Sequence, residues 1–334
     1  MKAIALISGG LDSILAAKLI QSQRIEVIPL NFKLPFSQSG KKASAENQNK
    51  IKHVADNLGA ELKTVDISSA FLEMLKKPRY GFGSHMNPCI DCKILMLVKA
   101  KELLQELGAA FVITGEVLGQ RPMSQNKQAL ELIEKRAGLE GLLLRPLSAK
   151  LLPETIPEQK CWVQRNNLLS FSGRSRRPQM ELAKKLNIKD YPNPAGGCLL
   201  TDPEFAKRLK ELIAHQELSL ENIELLKIGR HFRIAPQAKL VVGRDEKENE
   251  HLLNLARAND YLFMPTEEIA GPTSLGRGVF SDELIKLCAS ITCRYCDLNG
   301  ATETKIIYRK IPGKEDNILK AAVMEESQLI SLKI

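Results

Sequence analysis

An apolar run, Ile4-Ala5-Leu6-Ile7, leads directly into Ser8-Gly9-Gly10-Leu11-Asp12-Ser13, which is followed by Ile14-Leu15-Ala16-Ala17-Lys18-Leu19-Ile20. This order of residue types is a strand, a glycine turn and a helix start, and it constrains the fold more than any other stretch. Two glycines let the backbone turn tightly and bring its N–H groups close to an anion. Ser8, Asp12 and Ser13 are capping types, and the free N–H groups of a first helical turn point at the same spot. The stretch is therefore expected to cradle a phosphate. It is neither a Walker loop, which needs Gly-Lys-Ser/Thr after a four-residue gap, nor a G-x-G-x-x-G dinucleotide turn.

Strand-like and helix-like segments alternate through the first half. Residues 2–8, 25–32, 61–67, 110–116 and 141–147 are short apolar runs, whereas 12–22, 44–58, 90–107 and 124–137 have helical spacing. Such alternation implies an α/β fold, a parallel sheet with helices on both faces whose ligands bind at the carboxyl ends of the strands. The segments expected there are Ser8–Ser13, Asn31–Phe36 and Thr114–Gln125. A length of 334 residues allows two or three domains. We expect a nucleotide-binding domain over 1–150 and an irregular or helical extension over 151–217, with helices near Gln179–Leu186 and 203–215. A small α+β domain is expected over 218–334. Its pattern gives a strand-like stretch from Ile223 through Arg233, a strand at Lys239–Val242, helices at Glu246–Ala258 and Asp282–Asp297, and a strand at Thr304–Ile311.

The Ser-Gly-Gly-x-Asp-Ser loop resembles the PP-loop of the ATP pyrophosphatase family. That resemblance implies a Rossmann-like, adenine nucleotide alpha hydrolase-like domain that cleaves ATP between its α- and β-phosphates and transfers AMP to a substrate oxygen. A second stretch, Thr114-Gly115-Glu116-Val117-Leu118-Gly119-Gln120-Arg121-Pro122-Met123-Ser124-Gln125, follows a predicted strand, and Ser124 is expected to cap the next helix. It is similar to the T-G-E/D-x-x-G-Q-x-x-S-Q segment of tRNA 4-thiouridine synthetases, a resemblance that covers residues 1–147 and includes Arg145-Pro146-Leu147. The similarity to tRNA 2-thiouridylases is more distant. The resemblance implies that ATP and Mg²⁺ are held by Ser8, Gly9, Gly10, Asp12, Ser13, Asn31, Thr114, Gly115 and Gln120, with Asp12 helping to position Mg²⁺–pyrophosphate. Gln120, Arg121 and Gln125 fall on the substrate side.

Cys89 and Cys92 form a C-x-x-C at a helix start, where the spacing lets both sulfurs face one centre and the helix N-terminus favours thiolates. Cys198 follows Pro194-Ala195-Gly196-Gly197. The three cysteines resemble the set that holds a [4Fe–4S] cluster in cluster-dependent tRNA thiolases. Such clusters usually take four cysteine ligands, so three would leave one iron open for sulfide. Two alternatives stand beside it: a persulfide on Cys198 resolved by Cys92, and a structural zinc with a fourth ligand such as His85. Cys288, Cys293 and Cys296 share a helix face only loosely and are expected to be structural, and Cys161 is isolated.

An odd count of seven cysteines disfavours a disulfide framework. No apolar run approaches the roughly 20 residues that span a bilayer, and the N-terminus shows no basic stretch, apolar core or cleavage site, so a cytoplasmic protein without membrane contact is expected. The net charge is +9. The excess of basic over acidic residues is 21 against 14 in residues 1–150 and 11 against 8 in 151–217, but 16 against 17 in 218–334. A basic first half would attract a polyanion, and a nucleic acid is the natural candidate. Gly173-Arg174-Ser175-Arg176-Arg177 suits phosphate contact. The stretches Lys227–Arg233 and Lys239–Asn249 resemble the RNA-binding module of NFACT proteins, which makes Arg230, His231, Arg233 and Arg244 candidate RNA contacts. The combined expectation is an ATP-dependent tRNA sulfurtransferase supplied by sulfide or a sulfur-donor protein, with a homodimer left open. The alternative is a PP-loop ligase or synthase that forms an amide or nitrile on a small molecule and carries a zinc-bound C-x-x-C.

Overall fold

The computed structural model describes residues 1–36, 51–52, 54–56, 58–188, 191 and 198–334. Among these, two compact units are distinguished, Met1–Thr201 and Asp202–Ile334. The stretch expected as a 151–217 extension is thus shared between them. Residues 151–201 go with the first unit because Val163, Leu168 and Ala183 join its core and Trp162 stacks on Phe111 at 6.5 Å.

In the first unit five parallel strands run in the order β3-β2-β1-β4-β5: β1 (Lys2–Leu6), β2 (Glu26–Lys33), β3 (Lys63–Asp66), β4 (Phe111–Ile113) and β5 (Leu143–Leu144). Successive residues of a strand point to opposite faces. Here Ala3 and Ala5 enter one apolar cluster while Ile4 enters another with Leu30 and Val112. Both faces of the sheet are therefore buried, which explains the nearly continuous apolar runs of the sequence. The helices are α1 (Leu11–Gln21), α2 (Ser68–Lys76), α3 (Cys89–Glu106), α4 (Lys127–Ala137), α5 (Ile156–Gln159) and α6 (Arg177–Lys185). Strand order reverses between β1 and β4. At such a switch point the loops leaving adjacent strands diverge and open a crevice, and these two loops are Ile7–Gly10 and Thr114–Asn126.

Two capping expectations are corrected. The N-cap of α1 is Gly10, without a side-chain bond. Ser13 Oγ instead donates to the Gly10 carbonyl at 2.8 Å. The N-cap of α4 is Asn126, whose side chain accepts from Ala129 N at 2.9 Å, while Ser124 is buried. Of the helix expected over 44–58, residues 51–52 and 54–56 are helical, and 44–50, 53 and 57 lie outside the described residues.

The second unit is a six-stranded antiparallel sheet, β11-β10-β8-β9-β7-β6, built from β6 (Arg230–Ala235), β7 (Ala238–Val242), β8 (Tyr261–Pro265), β9 (Ser274–Gly278), β10 (Glu303–Lys310) and β11 (Asn317–Ala322). Helices α7 (Pro203–Ala214), α8 (Leu220–Leu226), α9 (Glu246–Leu255), α10 (Asp282–Arg294) and α11 (Glu326–Leu332) complete it. The strand-like reading from Ile223 is corrected. Residues 220–226 are helical because Ser219 caps Asn222 N at 3.2 Å and Ile223, Leu225 and Leu226 are buried. A short apolar run does not by itself distinguish strand from helix. Among the described residues no helix is long and apolar enough to cross a membrane.

Candidate functional site

The first loop is built by backbone turning and hydroxyl groups. Gly9 has φ +77°, in the left-handed region that favours glycine. Ser13 Oγ receives Ser8 N at 3.3 Å and Gly10 N points at Ser8 Oγ at 3.4 Å, so the serines close the loop on itself. Asn31 Nδ2 donates to the Ile7 carbonyl at 2.7 Å and holds the end of β1 from the neighbouring strand. Asn31 thus supports the loop through its amide nitrogen.

The second loop lies directly against the first. A Cβ placed on Gly115 would stand 2.5 Å from both the Asp12 carbonyl carbon and Ser13 N, so only glycine fits there. Gln120 Nε2 donates to Asp12 Oδ2 at 3.1 Å. The other carboxylate oxygen, Asp12 Oδ1, is shielded from solvent and has no hydrogen-bond partner among the described residues. A buried carboxylate oxygen left alone is costly, and a divalent cation travelling with nucleotide phosphates is the kind of partner it suits. Asp12, Ser13, Gly115 and Gln120 thus meet where the two loops touch, Ser8, Gly9 and Gly10 form the adjoining turn, Asn31 holds the end of β1, and Thr114 is buried against Glu116.

Beneath this crevice lies a buried ion network that the sequence did not disclose. Glu116, 2% exposed, accepts from Thr114 Oγ1 at 3.1 Å and from Arg145 Nε at 3.2 Å, and its second oxygen lies 3.7 Å from Lys93 Nζ. Burial alone would raise the Glu116 carboxyl, but Lys93 and Arg145 outweigh it and hold the carboxyl below its usual value. Arg145 also pairs with Glu134 at 2.7 Å and donates to the Leu130 carbonyl at 3.1 Å. The network ties Thr114 to α3, because Lys93 directly follows Cys92. Arg145 was visible only through its Arg-Pro-Leu motif, and nothing in sequence links it to Glu134.

Cys89 and Cys92 open α3, and Cys198 is brought near them. The charges of both Cys198 and Cys89 act on Cys92, and Cys89 and Arg121 act on Cys198. The expectation of a helix-stabilised thiolate is corrected for Cys92: burial pushes its thiol up to about 12, against a smaller downward pull from Lys93. Cys198 is exposed at the surface, yet desolvation by its neighbours raises its thiol too, against the opposing Leu200 backbone N–H. Among the described residues no set of three His, Cys, Asp or Glu side chains is arranged to hold a single metal ion. A tetrahedral zinc draws its sulfurs to within about 4 Å of one another, whereas an iron–sulfur cluster attaches each thiolate to a different iron. Three cysteine sulfurs are a donor type that zinc and iron–sulfur clusters both take. His85 is exposed and takes no part in such a set. Pro194–Gly197 lies outside the described residues.

The arginine loop joins the same site. Leu118 bridges to Ser172, Gly173 N donates to the Leu118 carbonyl at 2.8 Å, and Ser148 Oγ receives Leu118 N while donating to the Phe171 carbonyl. Arg174 is exposed and Arg176 half-buried, and neither has an ion pair among the described residues.

In the second unit the basic residues expected to contact RNA have partners within the fold. Arg233 is held by Glu211 at 2.5 Å and by Glu217 at 2.9 Å, and Arg244 is clamped by Glu248. Arg230 donates to the Gly243 carbonyl at 3.0 Å and lies over the Tyr295 ring. His231 is 2% exposed, with Nε2 2.8 Å from the Ile228 carbonyl, and burial depresses its pKa well below the usual value. Neutral local charge in the sequence reflected these internal pairs. Cys288 and Cys293 are buried and Cys296 partly so, with Cys293 Sγ 3.3 Å from the Ala321 carbonyl. Cys161 is exposed.

Comparison with known proteins gives two family matches, the tRNA methyl transferase HUP domain over residues 1–155 and the NFACT protein RNA binding domain over residues 229–332. A probable tRNA sulfurtransferase of Thermococcus kodakarensis is 33% identical over 146 residues, covering 44% of this chain and 36% of its own length. A tRNA-specific 2-thiouridylase of Petrotoga mobilis is 25% identical over 294 residues, 80% of this chain and 76% of its own. A solved 4-thiouridine synthetase–RNA complex with bound ATP aligns with 21% identity over 67% of this chain and 53% of that one, at a TM-score of 0.39. The chain thus spans about a third of the Thermococcus relative.

Proposed function

We propose that this protein is an ATP-dependent tRNA sulfurtransferase that replaces a uridine carbonyl oxygen with sulfur. The observation that carries this reading is the meeting of two chemistries. Gln120 holds Asp12 in the nucleotide crevice, while the adjacent Arg121 acts on Cys198. The homologous sulfurtransferases and the RNA-binding family match support RNA as the acceptor.

ATP would place its phosphates on Ser8–Ser13, with Mg²⁺ meeting Asp12 Oδ1 and loop N–H groups stabilising charge on the phosphates. The uridine carbonyl oxygen attacks the α-phosphorus, and pyrophosphate leaves. A sulfur nucleophile then attacks the activated carbon, and AMP departs with the original oxygen. Gln120 and Arg121 face the acceptor, whereas Gln125, expected on the substrate side, is buried; Arg174 and Arg176 contact the acceptor's phosphates. Cys89, Cys92 and Cys198 would hold a [4Fe–4S] cluster, which when bound supplies an iron without a protein ligand as a place for sulfide. Sulfide or a donor protein provides the sulfur, and Arg230 and Arg233 order the second unit more than they contact RNA.

Anaerobic purification followed by iron analysis and incubation with ATP, sulfide and unmodified tRNA tests the reading. Pyrophosphate release that depends on tRNA, with thiouridine formed, supports it. A colourless protein with stoichiometric zinc and tRNA-independent pyrophosphate release would replace it with the small-molecule ligase reading.

A further inference from the structure

Residues 79–88 form a loop that neither the nucleotide crevice nor the thiols account for, yet it is fastened to both. The Asp91 carboxylate, between Cys89 and Cys92 in sequence, accepts Arg79 N at 3.1 Å and Tyr80 N at 3.0 Å. Gly83 N donates to the Asn87 carbonyl at 2.8 Å, and a Cβ on Gly83 would collide with the thioether of Met123 in the second nucleotide loop. Met86 N donates to the Leu200 carbonyl at 3.0 Å, two residues beyond Cys198. The loop is thus a fixed wall between the sulfur residues and the segment that borders the nucleotide.

Two side chains on this wall are left in states that call for a ligand. Phe82 is 39% exposed, the only aromatic ring among the exposed large apolar side chains of the described residues. The Tyr80 hydroxyl is shielded from solvent and has no hydrogen-bond partner among the described residues. An exposed aromatic ring two residues along the chain from an unpaired hydroxyl matches a flat heteroaromatic ring with polar edges. Proteins read unstacked bases in this way, with an aromatic side chain against the ring and a polar group at its edge. The ring must also leave its own stack before its carbonyl can reach an activating centre.

We propose that Phe82 is the platform on which the acceptor pyrimidine of RNA stacks, with the Tyr80 hydroxyl bonding the edge of that base. This rests on the sulfurtransferase reading for its acceptor but adds the surface that receives it. Stacking on Phe82 would leave the base between the thiol residues and the Thr114–Gln125 segment, which is where activation and sulfur delivery must coincide.

The test uses the full chain and a tRNA transcript carrying 5-iodouridine in place of uridine, irradiated and mapped by peptide mass spectrometry. An adduct on the peptide containing Tyr80 and Phe82 is expected; adducts confined to other segments overturn the proposal. In parallel, Phe82→Ala should lower kcat/KM for tRNA-dependent pyrophosphate release by about tenfold, the order expected for one lost base–aromatic stack. Phe82→Trp should restore it, and filter-binding affinity for tRNA should change little. Undiminished activity in Phe82→Ala would also overturn it. If the wild-type chain releases no pyrophosphate with tRNA, the sulfurtransferase reading fails, while the photo-adduct still decides for or against Phe82.

Discussion

Asp12 concentrates the demands of the site, since one carboxylate oxygen is held by Gln120 and the other has no partner among the described residues. Asp12→Asn keeps the shape and removes the charge; tRNA-dependent pyrophosphate release should fall by roughly a hundredfold or more, with an unchanged melting temperature by circular dichroism. Gly115→Ala tests geometry instead of charge. Its methyl would press on the Asp12 and Ser13 backbone at 2.5 Å, so nucleotide binding by calorimetry should be lost even though alanine adds little bulk. Glu116 adds a pH dependence whose sign is fixed. Its folded carboxyl lies below the unfolded value of about 4.3. The stabilisation is therefore complete above the unfolded value and is lost as pH falls through the lower folded one. Urea midpoints between pH 3 and 7 should show it, and Arg145→Met, which strips Glu116 and Glu134 of their partner, should cost about 3–5 kcal/mol. The two loops were legible as motifs because glycine, serine and aspartate have local jobs. The Glu116 network was not, because Lys93, Glu134 and Arg145 stand well apart along the chain and meet only through tertiary folding.

At the scale of elements, the apolar runs located all five strands of the first sheet; central strands such as β1 and β4, covered on both faces, leave an uninterrupted apolar signature, whereas the edge strand β3 is largely exposed and was marked only by its flanking apolar residues. The second unit was harder to read. The strands β8, β9 and β11 escaped notice: β9 contains two glycines, and β11 lies at the sheet edge with only Ala321 buried, so neither repeats a clear period. Its basic residues were legible as charges, but their carboxylate partners on α7 and α9 were not. The two arginine groups should therefore behave differently. Replacing Arg174 and Arg176 with serine should weaken tRNA binding and reduce the slope of log affinity against log salt by about 1.5 to 2. Arg233→Ala should leave that slope nearly unchanged and lower the thermal stability of the chain, because Glu211 and Glu217 lose their shared partner.

For the whole molecule, each unit has its own apolar clusters, with Phe111, Leu15 and Ile113 in one and Phe232, Phe263 and Ile306 in another. Separate apolar cores can unfold as separate cooperative blocks. Scanning calorimetry should accordingly resolve two transitions, and ATP with Mg²⁺ should raise only the one that belongs to residues 1–201. A single transition raised as a whole would show the units to be energetically one. The sequence pattern suggested parts over 1–150, 151–217 and 218–334 but not that the middle one divides near 201, because residues 151–201 owe their allegiance to side chains such as Trp162 that pack on distant strands. Ser148 shows what that allegiance entails. Its hydroxyl serves Leu118 and Phe171 together, so the segment that borders the nucleotide and the segment that carries Arg174 and Arg176 are spliced through one oxygen atom. They are consequently one mechanical unit: a chimera that imports a foreign 171–176 segment without its matching 117–120 partner breaks the splice.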